Sequence, residues 1–155
     1  MPKFSKIHKV DHRATDMFEL VADIEQYPQF VPMCQRLVIR SRREKGDMER
    51  ILADMSVAYK FISESFTSQV TLNKPKLEIE VEYIDGPFRY LENQWRFIEL
   101  DNGGCEIHFA IDYEFKSKML GRLLGSMFEL VFSKFTAAFE KRADEIYRKT
   151  DNSLS

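Results

Sequence analysis

Residues 118–149 contain no proline, and their apolar side chains recur at intervals of three and four, from Met119 and Leu123 to Phe139 and Ile146. This spacing predicts one continuous helix, roughly 45 Å long at 1.5 Å per residue. Its first half is apolar over more than half its circumference, more than one packing surface uses. That half is therefore expected to be wrapped by another part of the chain.

The middle of the chain supplies the wrapping material. Ile51, Ala53, Met55, Val57, Tyr59 and Phe61 alternate with polar residues, as do Leu77, Ile79, Val81 and Tyr83. Leu91, Trp95 and Phe97 share a face, and so do Ile107, Phe109, Ile111, Tyr113 and Phe115. Period-two alternation is the pattern of an antiparallel sheet with one dry and one wet face. NKPK, IDGPF and DNGG separate the runs, and Asn102-Gly103 is a hairpin signal.

Before these runs, residues 3–12 predict a first, edge-like strand containing Ile7 and Val10. Thr15 or Asp16 is placed to cap a helix whose apolar face carries Met17, Phe18, Leu20, Val21 and Ile24. Pro28 should force Tyr27 out of helical geometry. The stretch DIEQYPQFVPMC at 23–34 follows, stiff with two prolines and almost uncharged. A second strand is expected from Leu37 to Arg43. The order requires an α+β helix-grip arrangement: a curved antiparallel sheet of about seven strands on a long C-terminal helix, with two short helices after the first strand. One domain is expected over 1–149, with a flexible tail at 150–155.

Composition narrows the function. A net charge of −2 and a pI of about 6.0 argue against a surface built to hold nucleic acid, and no DNA partner is expected. Cys34 and Cys105 form no disulfide framework and suit a reducing cytosol. The N-terminus has no apolar run behind its positive charges, unlike a signal peptide, and no window reaches the ~18 apolar residues of a span. A cytoplasmic location follows, with peripheral contact on the cytoplasmic face of the inner membrane as an extension. His8, His12 and His108 have no cysteine or carboxylate at metal-ligand spacing, so no metal is expected. No phosphate loop, nucleotide fingerprint or nucleophile elbow occurs, and no catalytic residue or catalytic cofactor is expected.

VADIEQYPQFVPMC, SESFTSQV, IDGPF, LENQWRF and AAFEKRADEIY together resemble the coenzyme Q-binding branch of the START-like superfamily. The resemblance covers about residues 3–148. It implies a START-like fold and non-enzymatic binding of ubiquinone or a similar polyprenyl quinone in support of respiration. A similar branch is described as a toxin that blocks ribosomal subunit association, which makes the ribosome the alternative partner. Other START-like relatives cyclise aromatic polyketides, which would make the chain an enzyme.

The greasy segment then reads as a lid over a tunnel between sheet and long helix. Pro28 and Pro32 limit the backbone, so Tyr27, Phe30 and Val31 are held inward at lower entropic cost; the same residues also suit a simple core plug. Trp95 offers a stacking surface and one N–H, and Asn93, Tyr59 and Tyr113 offer polar groups for ring oxygens. Met55, Phe66, Phe97, Phe109, Met127, Phe128, Val131 and Phe135 complete the expected ligand-binding set. Gly121 and Gly125, four apart, predict close approach of a loop or strand, or a helix lying on a bilayer. Arg36, Arg40, Arg42, Arg43 and Lys45 place five bases in ten residues with only Glu44 opposing. They form a candidate patch for anionic lipid or ribosomal RNA, against ten acids and four bases over 76–116. Glu78, Glu80 and Glu82 read as a solvated strand face.

Overall fold

The chain begins with β1 (Lys3–Val10), α1 (Ala14–Ala22), a 3-10 turn (Ile24–Gln26) and α2 (Tyr27–Phe30). Six strands follow: β2 (Cys34–Lys45), β3 (Met48–Tyr59), β4 (Ile62–Asn73), β5 (Glu78–Asp85), β6 (Phe88–Glu99) and β7 (Cys105–Phe115). The last helix, α3 (Lys118–Ala143), runs into a π-helical turn at Asp144–Arg148. The computed structural model describes residues 3–59 and 62–148. The expected tail at 150–155 and the side chain of Phe61 lie outside the described residues.

The strands form one antiparallel sheet in the order β1-β7-β6-β5-β4-β3-β2. Consecutive hairpins account for β2 to β7, and β1 closes on β7 as an edge strand, as expected. Alternation decides the faces: on β7, Cys105, Ile107, Phe109, Ile111, Tyr113 and Phe115 are buried. Gly86 makes the turn between β5 and β6 possible. It has φ +143, and a Cβ there would lie 2.6 Å from Phe66 Cβ, so only glycine fits.

Both α1 and α3 cover the dry face. Met17, Phe18, Leu20 and Val21 of α1 are buried, and Phe18 meets Phe97 edge-on at 5.9 Å. Full burial of side chains this size stabilises by about 1.5–3 kcal/mol each. On α3, Phe132, Thr136, Phe139 and Ala143 recur at four, three and four, and all are buried. β1 runs alongside this half. Phe4 packs on Phe132 at 6.2 Å, and Lys6 Nζ donates to the Ser133 carbonyl at 3.0 Å. His8 Nε2 meets Glu140 Oε1 at 3.0 Å, and His12 Nε2 meets Asp144 Oδ1 at 2.7 Å. The four-residue step between the histidines thus serves to seam the first strand to the last helix.

Several expectations need correcting. The first half of α3 is not wrapped all round: Leu120 packs against the core, but among the described residues Met119, Leu123 and Leu130 are exposed. β1 reaches only as far back as Phe4 opposite Phe132, so the strand ends before it could cover them. No loop or strand comes close to Gly121 or Gly125, since a Cβ at either would meet nothing within 4 Å. Neither Thr15 nor Asp16 caps α1. Its N-cap is Arg13, without a side-chain bond, and Glu99 Oε2 of β6 accepts from the Ala14 N–H at 2.8 Å. Tyr27 is helical, with φ −53 and ψ −41. Pro28 falls in the first turn of α2, where its missing N–H is not needed. Tyr27 is also held by its own N–H to the Ile24 carbonyl and by its hydroxyl to the Val21 carbonyl.

Candidate binding cavity

Alternation on β3 to β7 turns one set of side chains toward α3, and a cavity of about 130 Å³ remains between them. The turn segment contributes Tyr27, Val31 and Pro32 to its lining, as expected. The sheet contributes the expected Met55, Phe66, Asn93 and Trp95, and α3 contributes Val131 and Phe135. No charged side chain lines it among the described residues.

Other expected residues sit elsewhere. Phe30 stands outside the lining and closes the site from behind, edge-on to Phe139 at 5.1 Å and to Tyr27 at 6.2 Å. Phe97 lies under α1, next to Phe18 and parallel to Trp95. Phe109 is packed among Phe4, Phe132 and Phe135. Tyr113 is buried against Phe88, Phe115 and Phe132, and burial, then the Glu129 charge, pushes its hydroxyl up to about 12. None of these four lines the cavity. The side chains of Tyr59, Met127 and Phe128 lie outside the described residues.

The lining also includes residues that carry no polar or aromatic mark in the sequence, among them Leu37, Ala53, Ile79, Val81 and Ile111. The signal for them is their period-two position, and Ser68 follows Phe66 at the same period. Met33 also lines the cavity and has φ +68, a conformation costing a side-chain-bearing residue of order 1–3 kcal/mol. Its carbonyl accepts from Ala58 N–H at 3.0 Å, which ties the end of the turn segment to β3.

The polar groups of the lining are largely occupied. Trp95 Nε1 donates to Asn93 Oδ1 at 2.9 Å, and Asn93 Nδ2 donates to the Ala110 carbonyl at 2.9 Å. The indole N–H is thus satisfied within the protein. Tyr27 is held neutral, since burial, then Cys34 and Asp23, all push its hydroxyl well above the ordinary tyrosine range. Burial pushes the Cys34 thiol beside it up to about 11. Both cysteines are free and buried.

The basic stretch on β2 is less free than its sequence implies. Arg42 pairs with Glu49 at 2.5 Å and Glu25 at 3.0 Å, and Arg40 pairs with Asp54 at 3.6 Å. These acids come from β3 and the 3-10 turn, so the opposition is not limited to Glu44. Arg36, Arg43 and Lys45 are exposed on the same edge strand.

Volume limits what the cavity holds as it stands. Drug-sized sites run to about 300–1,000 Å³, whereas an apolar cavity of about 150 Å³ takes a benzene ring. About 130 Å³ is therefore room for one ring-sized group. A longer molecule requires α2 or α3 to move, or a tail that leaves the cavity.

Comparison with known proteins agrees with this architecture. The ribosome association toxin RatA of Vibrio cholerae is 32% identical over 95% of this chain and 99% of its own length. The mitochondrial coenzyme Q-binding protein COQ10 of Drosophila melanogaster is 32% identical over 88% of this chain and 56% of its own. A START superfamily protein from Mycobacterium smegmatis superposes with a TM-score of 0.74 at 22% identity, covering 93% of this chain and 98% of that one. It supports the START-like helix-grip fold. The model of the polyketide cyclase / dehydrase and lipid transport family matches residues 10–140, and the chain belongs to that family.

Proposed function

We propose that this chain is a non-enzymatic binding protein that holds a polyprenyl quinone such as ubiquinone, with the ring in the cavity and the tail leaving it, and carries or positions it in support of respiration. The observation that carries this reading is an apolar cavity without charged residues, closed by α2 and just large enough for one ring. The similarity to a coenzyme Q-binding protein supports the choice of quinone. The cyclase alternative fits less well, because Tyr27 is the one titratable side chain in the described lining and burial keeps it protonated. General acid–base work needs a group poised near the working pH.

Contact with an anionic bilayer is part of the proposal. Met119, Leu123 and Leu130 are spaced at four and seven on one face and are exposed. Lys116, Lys118, Arg122 and Lys134 are exposed along the same stretch. Apolar anchors with a basic rim suit a helix lying in a lipid interface.

Organic extraction of the purified protein tests the reading. A quinone recovered in near-stoichiometric amount is expected. Protein that carries no lipid and takes up no added quinone would overturn it. A second reading, ribosome binding, is favoured by the similarity to RatA and by the exposed Arg36, Arg43 and Lys45. Loss of subunit joining in sucrose gradients on adding the protein would support it.

A further inference from the structure

The register of β3 and β4 explains where the cavity comes from. Ile51 stands opposite Val70, Ala53 opposite Ser68, and Met55 opposite Phe66. One small pair thus interrupts a row of large ones, and the hollow lies over it: Ala53 and Ser68 both line the cavity. A volume effect alone would be met by alanine or glycine. Ser68 adds a hydroxyl to the lining at a position only 6% exposed. A polar group of a ligand entering the cavity meets that hydroxyl in apolar surroundings, where a hydrogen bond is stronger than in water. The other polar side chains have spent donors: Trp95 on Asn93, Asn93 on Ala110, and Tyr27 on Val21.

We propose that the Ser68 hydroxyl is the anchor for the polar end of the ligand, and that the ligand is a neutral molecule whose ring-sized head carries a carbonyl or ether oxygen. An ionised carboxylate or phosphate would enter a lining with no counter-charge, which disfavours it strongly. This inference rests on the reading of the cavity as a lipid-binding site and assigns the residue that selects the head.

Two probes of the same shape separate anchoring from mere space. Acetophenone carries a carbonyl oxygen, and α-methylstyrene replaces that oxygen with CH₂. Each is titrated into wild type, Ser68→Ala, Ser68→Thr and Ala53→Leu, following the indole N–H resonance of Trp95, the one tryptophan of the chain. Ser68→Ala is expected to weaken acetophenone roughly 5–10-fold and to leave α-methylstyrene within about twofold, the effect of one hydrogen bond. Ser68→Thr keeps the hydroxyl and should keep the preference for acetophenone. Ala53→Leu fills the floor and should weaken both. If both probes bind wild type and Ser68→Ala affects them alike, the anchor is wrong while the cavity reading stands. If neither binds wild type, the cavity reading fails and the anchor falls with it.

Discussion

The two halves of α3 have similar apolar spacing and different surroundings. In the C-terminal half, Phe139 is 1% exposed and Thr136 and Ala143 are 0% exposed. In the N-terminal half, Met119 is 68% exposed and Leu123 and Leu130 are each 55% exposed. The first group meets β1, β7, α1 and α2. The second passes beside Tyr113 and Phe115, where Gly121 and Gly125 border a gap. Periodicity specifies that a helix has an apolar face. Whether the face is covered depends on what the rest of the chain can bring to it. The C-terminal half is therefore the anchor of the helix, and the exposed face of the N-terminal half is the one that would meet lipid under the proposed membrane contact.

Three experiments press on this contrast. The largest effect is expected from Trp95→Ala. Trp95 is 4% exposed and meets Phe109 at 4.7 Å and Phe139 at 5.3 Å. Its removal should cost ~3–5 kcal/mol in the denaturant midpoint, the usual range for a buried aromatic. A loss below ~1 kcal/mol would mean that the aromatic cluster is not what holds the anchored half.

Phe30→Ala should act more mildly and more functionally. Phe30 is half-buried, edge-on to Phe139, with the Arg142 guanidinium 5.3 Å from its ring centre. The Arg142 side chain also donates to Gln29 Oε1 at 2.8 Å, latching α2 to the anchored half of α3. Loss of these ring contacts should cost ~1–2 kcal/mol. It should also hasten release of bound quinone, read by stopped-flow transfer to vesicles. Unchanged release with the stability loss of a full core residue would make α2 a plug and not a lid.

The smallest stability effect is expected from replacing Met119, Leu123 and Leu130 together by Gln. Each exposed change should stay within ~0.5 kcal/mol, while sedimentation with anionic vesicles should fall sharply. A large midpoint loss would show that this face is covered in solution, and the contrast between the two halves would be lost. Normal sedimentation would remove it from the membrane contact.

Much of the site was legible in the sequence because it sits on strands. Met55, Phe66, Asn93 and Trp95 could be assigned to one side of the sheet, since side chains alternate strictly, and all four line the cavity. Phe97 and Phe109 share that side, yet they lie under α1 and against Phe132. Which stretch of a dry face stays open depends on where the helices land, and no local pattern encodes that. Arg42 shows the same limit for charge. Arg40 and Arg43 stand beside it in sequence, and its partners Glu25 and Glu49 arrive from other elements.

The sequence by itself determined the seven strands, their facing, the long helix and the helix-grip order, because each follows from local periodicity and from turn residues such as Gly86. Tertiary structure alone decided that Glu99 and not Thr15 or Asp16 meets the start of α1, that Tyr27 stays helical before proline, and that Met119, Leu123 and Leu130 of α3 are left exposed. It also decided that the small pair Ala53 and Ser68 leaves a hollow. These outcomes depend on contacts between residues far apart in the chain, whose energies exceed the local preferences they override.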